Sequence, residues 1–247
     1  MHSPVEQFAI KVLFALNLFG FDIQFTNSSL FMVLAVLLSS AFLYFAMAPA
    51  ETVPRRMQGL AEMLYEFVSD MVRSNVGGEG RPYFPFVFTL FVFVLFSNLL
   101  GLIPYSYTTT SQIIVTFAMA MFIFIGVTLI ALFKHGLHFF SFFVPAGAPK
   151  VLIPFLVLIE VISYFVRPVS LSVRLFANML AGHTMLKVFG GLAVMIASAG
   201  GVFVAGSILP LVAIVGLTGL EILVAVLQAY VFTILTCMYL NDALHLH

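Results

Sequence analysis

The chain has 247 residues, of which 62% are hydrophobic and 8% charged, with 29 Phe, no Trp and a formal net charge of zero. Apolar content on this scale identifies a polytopic membrane protein, and the balanced charge, with no long basic run, gives nucleic acid nothing to bind. The single Cys237 excludes an intrachain disulfide or a multi-cysteine metal site, and its apolar neighbours make it a small buried hydrophobe.

Residues 1–29 form an N-terminal segment that contains an apolar stretch, Phe8 to Phe21, of signal-peptide length. Glu6 and Lys11 deny it a positive flank and no small-residue cleavage site precedes Asp22, so the expectation is a retained surface helix. Ser28 or Ser29 is placed to cap a first span over 30–48, which ends near Pro49. Residues 55–76 hold much of the chain's charge and repeat Met57, Leu60, Leu64, Phe67, Val68 and Met71 at helical spacing, which predicts an amphipathic helix along the membrane surface. The run Gly77, Gly78, Glu79, Gly80 lacks the Lys-Ser/Thr of a phosphate loop and reads as a turn.

A second span covers 83–103, with Asn98 its one strongly polar interior residue and Ser97 beside it. The uncharged loop PYSYTTTSQ leads to a third span over 113–133, closed by Lys134 and His135. His135 and His138 lie three apart, but two imidazoles without a nearby carboxylate or thiol read as interfacial side chains and not as a metal site.

Two apolar stretches of unusual length follow, 150–190 and 206–244. As single helices they would be about 55–60 Å long against a hydrocarbon core of ~30 Å. Either they tilt by roughly 60°, or Pro154, Pro168 and Pro210 break them. The expectation is a strongly tilted antiparallel hairpin turning at 197–201. The fold class is therefore all-α, a single membrane domain of five spans plus one interfacial helix. Arg55, Arg56, Arg73 and Arg81 share one loop, and Lys134 and Lys150 another, two spans away. These loops lie on one side, the cytoplasmic one, and the N-terminus lies opposite.

The first long stretch carries EVISYFVRPVSLSVRLFANMLAGHTMLK, residues 160–187. At roughly 100° per residue Glu160, Arg167 and Arg174 project within about 40° of one line, and Ser170, Ala177, Asn178 and Ala181 fall on the same side. His183, nine residues beyond Arg174, points to the opposite side. An ionisable group at bilayer depth costs at least ~2.5–3.5 kcal/mol, so each marks an ion path or a paired site. Arg167 admits both readings, a path residue or an internal Glu–Arg pair with Glu160. Arg174 has no carboxylate among its helical neighbours.

Two polar clusters at different depths, with one fixed positive charge between them, describe two aqueous half-paths that do not join. Glu221, His183, Asn178 and Gln228 form an outer path, Glu221 and Gln228 being seven apart on one helical face, and Glu160 opens an inner one. A proton gains ~2.3 kcal/mol per 100 mV on crossing, which a continuous channel would dissipate. The Arg174 guanidinium keeps its proton, blocks direct transfer, and favours ionisation of a carboxyl group brought past it. The small residues around it leave room for another helix to slide by. His183 and Glu221 are both able to relay protons; each also admits a structural reading, His183 as a hydrogen-bonded interface histidine and Glu221 as a partner of His183 or Lys187. Lys187 snorkels to the outer interface.

RPVSLSVRLFANMLAGH, followed by Glu221 and Gln228 in GLEILVAVLQAYVF, resembles the subunit a family of F-type ATP synthases, and the likeness extends from the opening MHSPVEQF through SNLLGLIPY to the end of the chain. The resemblance implies a non-catalytic, proton-conducting stator beside a rotating c-ring, held by b-type peripheral-stalk subunits in the F1F0 complex, with five spans and two long tilted helices following the ring. It implies that Arg174 is the essential arginine, that Asn178, His183, Glu221 and Gln228 line the outer half-channel, and that Glu160 is the inner acid. Arg167, Ser170 and Asn98 are supporting candidates. No cofactor or metal is expected, only translocated protons. In some bacterial members the acid and the histidine at 183 and 221 are exchanged, which argues that the two act jointly. The pattern is similar to alphaproteobacterial and mitochondrial members, and the expected location is a bacterial inner membrane, with the mitochondrial inner membrane as the alternative. The rival is a self-contained secondary transporter with a substrate in the Glu160–Arg174 strip, but the internal repeats common to such folds are missing from the sequence. A membrane scaffold is the third class.

Overall fold

The computed structural model describes residues 10–18, 21–48, 51, 53–103, 106–136, 139, 143, 152–200 and 203–245. Two short strands, β1 (Val12–Leu18) and β2 (Phe21–Thr26), precede the helices α1 (Asn27–Met47), α2 (Arg56–Val76), α3 (Phe84–Gly101), α4 (Ile113–His135), α5 (Ile153–Ser198), α6 (Phe203–Gly206) and α7 (Ile208–Leu244), with short 3-10 turns at Gly78–Tyr83 and Thr109–Ser111. Five helical stretches among the described residues are long and apolar enough to cross a membrane. The chain is a polytopic, helical membrane protein.

The expected N-terminal surface helix is corrected by the hairpin: β1 and β2 pair antiparallel, with Leu18 opposite Phe21. The sequence of β2 shows why. Phe21, Ile23 and Phe25 alternate with Asp22, Gln24 and Thr26, the period of a strand and not of a helix. The hairpin is tied to α1 by Asn27, whose N–H donates to the Lys11 carbonyl at 3.0 Å and whose Oδ1 accepts from the Lys11 N–H at 3.1 Å. Capping of α1 moves with it: Thr26 Oγ1 accepts the Ser29 N–H at 3.4 Å, so the helix starts before the serines expected to cap it.

Neither long helix is interrupted by its prolines. Helix α5 runs through Pro168 for 46 residues, about 69 Å at 1.5 Å per residue. Pro154 and Pro210 stand in the first turns of α5 and α7, where a missing N–H costs nothing. The Gly190–Gly191 pair does not end α5 either; the helix continues to Ser198 and turns at Gly200, whose φ of +74° suits glycine.

The fold resolves into two compact units, 1–42 with 93–112 and 175–229, and 43–92 with 113–174 and 230–247. In the second, α2 buries Val68, Met71, Val72 and Val76, while Met57, Leu60, Met63 and Phe67 stay exposed, as an interfacial helix requires. Phe67 packs with tilted rings against Phe91 and Tyr230 at centroid distances of 5.7 and 5.8 Å. The last carbonyls of α7 are served from the end of α4: His135 Nε2 lies 3.1 Å from the Ala243 oxygen and Lys134 Nζ donates to the Leu244 oxygen at 3.3 Å, while also meeting the Glu79 carboxylate. Cations at a helix C-terminus satisfy both its orphan acceptors and its dipole. His138 and Lys150 lie outside the described residues, and among those described no cluster suits a metal.

Arg167 pairs with Asp242 at 2.9 Å and not with Glu160, its guanidinium lying 5.3 Å from the Tyr239 ring centroid and 5.7 Å from that of Tyr164. The pair ties α5 to α7. Asp242→Asn is expected to destabilise the protein by roughly 1–2 kcal/mol, less than a fully buried pair because Asp242 keeps 39% side-chain exposure. Its thermal midpoint should fall, and the double variant Arg167→Met/Asp242→Leu should recover most of the loss; an unchanged midpoint in Asp242→Asn would show that the pair carries no stability.

Candidate functional site: a buried polar cluster and an open arginine

The first unit gathers four of the predicted outer-path residues. Asn178 Nδ2 donates to Gln228 Oε1 at 2.9 Å, joining α5 to α7. Glu221, only 7% exposed, lies against Gly182, where an added Cβ would stand 2.9 Å from Glu221 Cγ. A glycine at 182 thus makes the room that a carboxylate needs beside α5. Asn98, fully buried, donates from Nδ2 to the Ala225 carbonyl at 3.2 Å, one turn from Glu221. His183 follows Gly182 and meets Thr108 Oγ1 through Nε2 at 3.0 Å.

Several polar atoms of this unit are buried without a hydrogen-bond partner among the described residues: Ser97 Oγ, Asn98 Oδ1, Thr110 Oγ1, Glu221 Oε1 and Gln228 Nε2. They come from α3, the loop after it and α7. Each would cost ~1–3 kcal/mol if left unserved, and groups in such positions are met by water.

The loop 106–112 was legible only as an uncharged connection, yet Thr108, Thr109, Thr110 and Ser111 are all buried. Ser111 Oγ donates to the Thr108 carbonyl at 2.6 Å and the Ser111 N–H does so at 3.2 Å, which sets the turn that carries Thr108. Burial pushes the Tyr107 phenol above its ordinary range, with the Ser28 and Gln112 side chains acting in the opposite direction. The sequence signal for this loop was polarity without charge between two spans, which by itself also fits a solvated turn.

In the second unit the two arginines of α5 differ. Arg167 is half-buried and engaged by Asp242, Tyr164 and Tyr239. Arg174 is exposed and forms no ion pair or hydrogen bond among the described residues. Ser170, Ala177, Asn178 and Ala181, its predicted companions along the helix, are exposed as well. Glu160 is partly exposed and makes no ion pair among the described residues. Sequence spacing had offered Glu160 as the partner of Arg167; Asp242, 75 residues away, could not be found by helical periodicity.

Residues 29–241 match the family model described as ATP synthase A chain. The chain is similar to ATP synthase subunit a of Rhodospirillum rubrum, 56% identical over 247 residues covering all of both chains. It is also similar to ATP synthase subunit a of Rhizobium rhizogenes, 53% identical over 99% of this chain and 98% of the relative, and of a Chelativorans strain, 56% identical over 98% of each.

Proposed function

The chain belongs to the ATP synthase A chain family, and we propose that it works as the proton-translocating, non-catalytic stator subunit of a rotary F-type ATP synthase in a bacterial inner membrane. Arg174 separates two half-channels. Protons enter by way of Glu221 and His183, assisted by Asn178 and Gln228, pass to carboxylates of a c-ring, and leave past Glu160 after a turn of the ring. The relatives give no support to a self-contained transporter. Peripheral-stalk b-type subunits would hold the chain against the ring's torque.

The observation that carries this reading is the contrast between the arginines. A guanidinium exposed on an apolar helix, on a strip of small residues and without a carboxylate partner among the described residues, is costly in lipid. A partner helix presenting a carboxylate removes that cost, and only a partner that moves makes the charge useful. The unpartnered polar atoms of Glu221 and Gln228 support the complementary feature, a hydrated outer half-channel. The positive loops support an N-terminus on the periplasmic side and a C-terminus in the cytoplasm.

Cross-linking tests the partner. In a Cys237→Ala background, single cysteines at Ser170, Ala177 and Ala181 are expected to form disulfides with cysteines on the outer helix of the c-ring, whereas a cysteine at Phe122, exposed on α4, should not. Cross-links from Phe122 alone would put the ring on another face and overturn the assignment.

A further inference from the structure

We propose that Thr108 is a positioning residue that fixes the tautomer of His183 and thereby makes Nδ1 the nitrogen that exchanges the proton; the inference rests on His183 carrying protons as argued above. A threonine hydroxyl has one hydrogen to give and two lone pairs to accept with. Thr108 Oγ1 lies 3.3 Å from the Gly101 carbonyl and 3.0 Å from His183 Nε2. A carbonyl accepts only, so the hydroxyl hydrogen goes to Gly101 whenever that oxygen has no other donor.

Among the described residues the end of α3 offers it only two hydroxyls, those of Ser106 and Thr108. The final carbonyls of a helix lack intrahelical donors. Here the Leu102 N–H turns to Asn98 and Leu99, and the Ile103 N–H to Leu100. Ser106 Oγ reaches both Leu100 and Gly101, but its one hydrogen favours the Leu100 oxygen at 2.7 Å over Gly101 at 3.1 Å. Gly101 is therefore left to Thr108. With its hydrogen committed, Thr108 Oγ1 meets His183 as an acceptor, and Nε2 must carry the proton of the neutral ring.

The threonine is held in this role by its surroundings. It is 3% exposed, and its Cγ2 occupies the space that a Cβ at residue 101 would need, 2.6 Å away; the glycine at the end of α3 admits it. Its backbone is fixed by the two hydrogen bonds from Ser111. The proton balance follows. Neutral His183 holds one proton at Nε2; a proton arriving at Nδ1 gives the imidazolium, and release from Nδ1 restores the starting tautomer, while the proton on Nε2 stays there, donated to Thr108 Oγ1. The ring needs no flip between cycles. Lys187, one turn on along the same helix, is the charged group that acts on the ring.

The test uses the whole reconstituted complex with ¹⁵N-labelled histidine rings, the His183 signals being identified by their loss in His183→Gln. Wild type is expected to show neutral His183 protonated at Nε2. Thr108→Val should erase this preference and lower passive proton conduction, after the catalytic head is stripped, about five-fold, the size of one ordinary hydrogen bond. Thr108→Ser should keep both. A wild-type ring protonated at Nδ1, or an unchanged tautomer in Thr108→Val, overturns the inference; the wild-type spectrum decides the first point even where a variant fails to assemble. Full conduction in His183→Gln is a different result, which removes His183 from the proton path.

Discussion

Arg174→Ala is expected to reduce ATP-driven proton pumping by about 10²-fold, the factor that corresponds to losing ~2.5–3.5 kcal/mol of charge barrier, while the complex still assembles and passive proton leak stays level or rises. The guanidinium has no ion pair among the described residues, so its removal strands no carboxylate among them. That separates it from Arg167, whose loss orphans Asp242. Arg174→Lys should restore assembly-level properties but not full coupling, because a desolvated ammonium gives up its proton more readily than a guanidinium does. ATP-driven proton uptake in inverted membranes, paired with leak after removal of the catalytic head, measures both quantities. Normal pumping in Arg174→Ala would sink the half-channel mechanism, and loss of assembly without selective loss of pumping would point to a scaffold.

Glu221→Gln should have the second largest effect. The amide keeps the shape that fits against Gly182 but has no proton to exchange, so passive conduction is expected to fall by ~10²-fold, the lower end of what a positioned acid–base group contributes. Stability should not fall with it. A carboxylate oxygen buried without a donor among the described residues is a costly group, and a neutral amide in its place removes the charge from that site. A purely structural glutamate would behave in the opposite way, with a lower thermal midpoint and conduction largely kept. Measuring both on the same preparation distinguishes a relay from a strut.

The spans were legible because hydropathy and length decide them almost without tertiary information: predicted boundaries at 83–103 and 113–133 became Phe84–Gly101 and Ile113–His135. The second long helix, expected over 206–244, runs Ile208–Leu244, but the end of the first was not legible, since Gly190 and Gly191 weaken a helix only slightly when apolar surroundings leave its backbone no other donors. The N-terminal hairpin was overlooked because length and apolar content were weighed there, whereas the alternation from Phe21 to Thr26 carried the answer. Periodicity placed Arg174 and its small companions on one face correctly, and it cannot see across helices. The Arg167–Asp242 pair and the Thr108–His183 bond join residues 75 positions apart in each case. Asp242 was passed over as the ordinary polar end of an apolar run, and Thr108 as part of a loop without charge.

The cap on α7 has a consequence for how the protein is made. Lys134 and His135 emerge from the ribosome 110 and 108 residues before the carbonyls they serve. During that interval both long helices are synthesised and inserted. The second compact unit draws its last segment from 230–247, so Arg167, already in place, also waits for Asp242. Contacts of such sequence separation form late and slowly. Closure of this unit therefore waits for the end of α7, which supplies the partners of Lys134, His135 and Arg167.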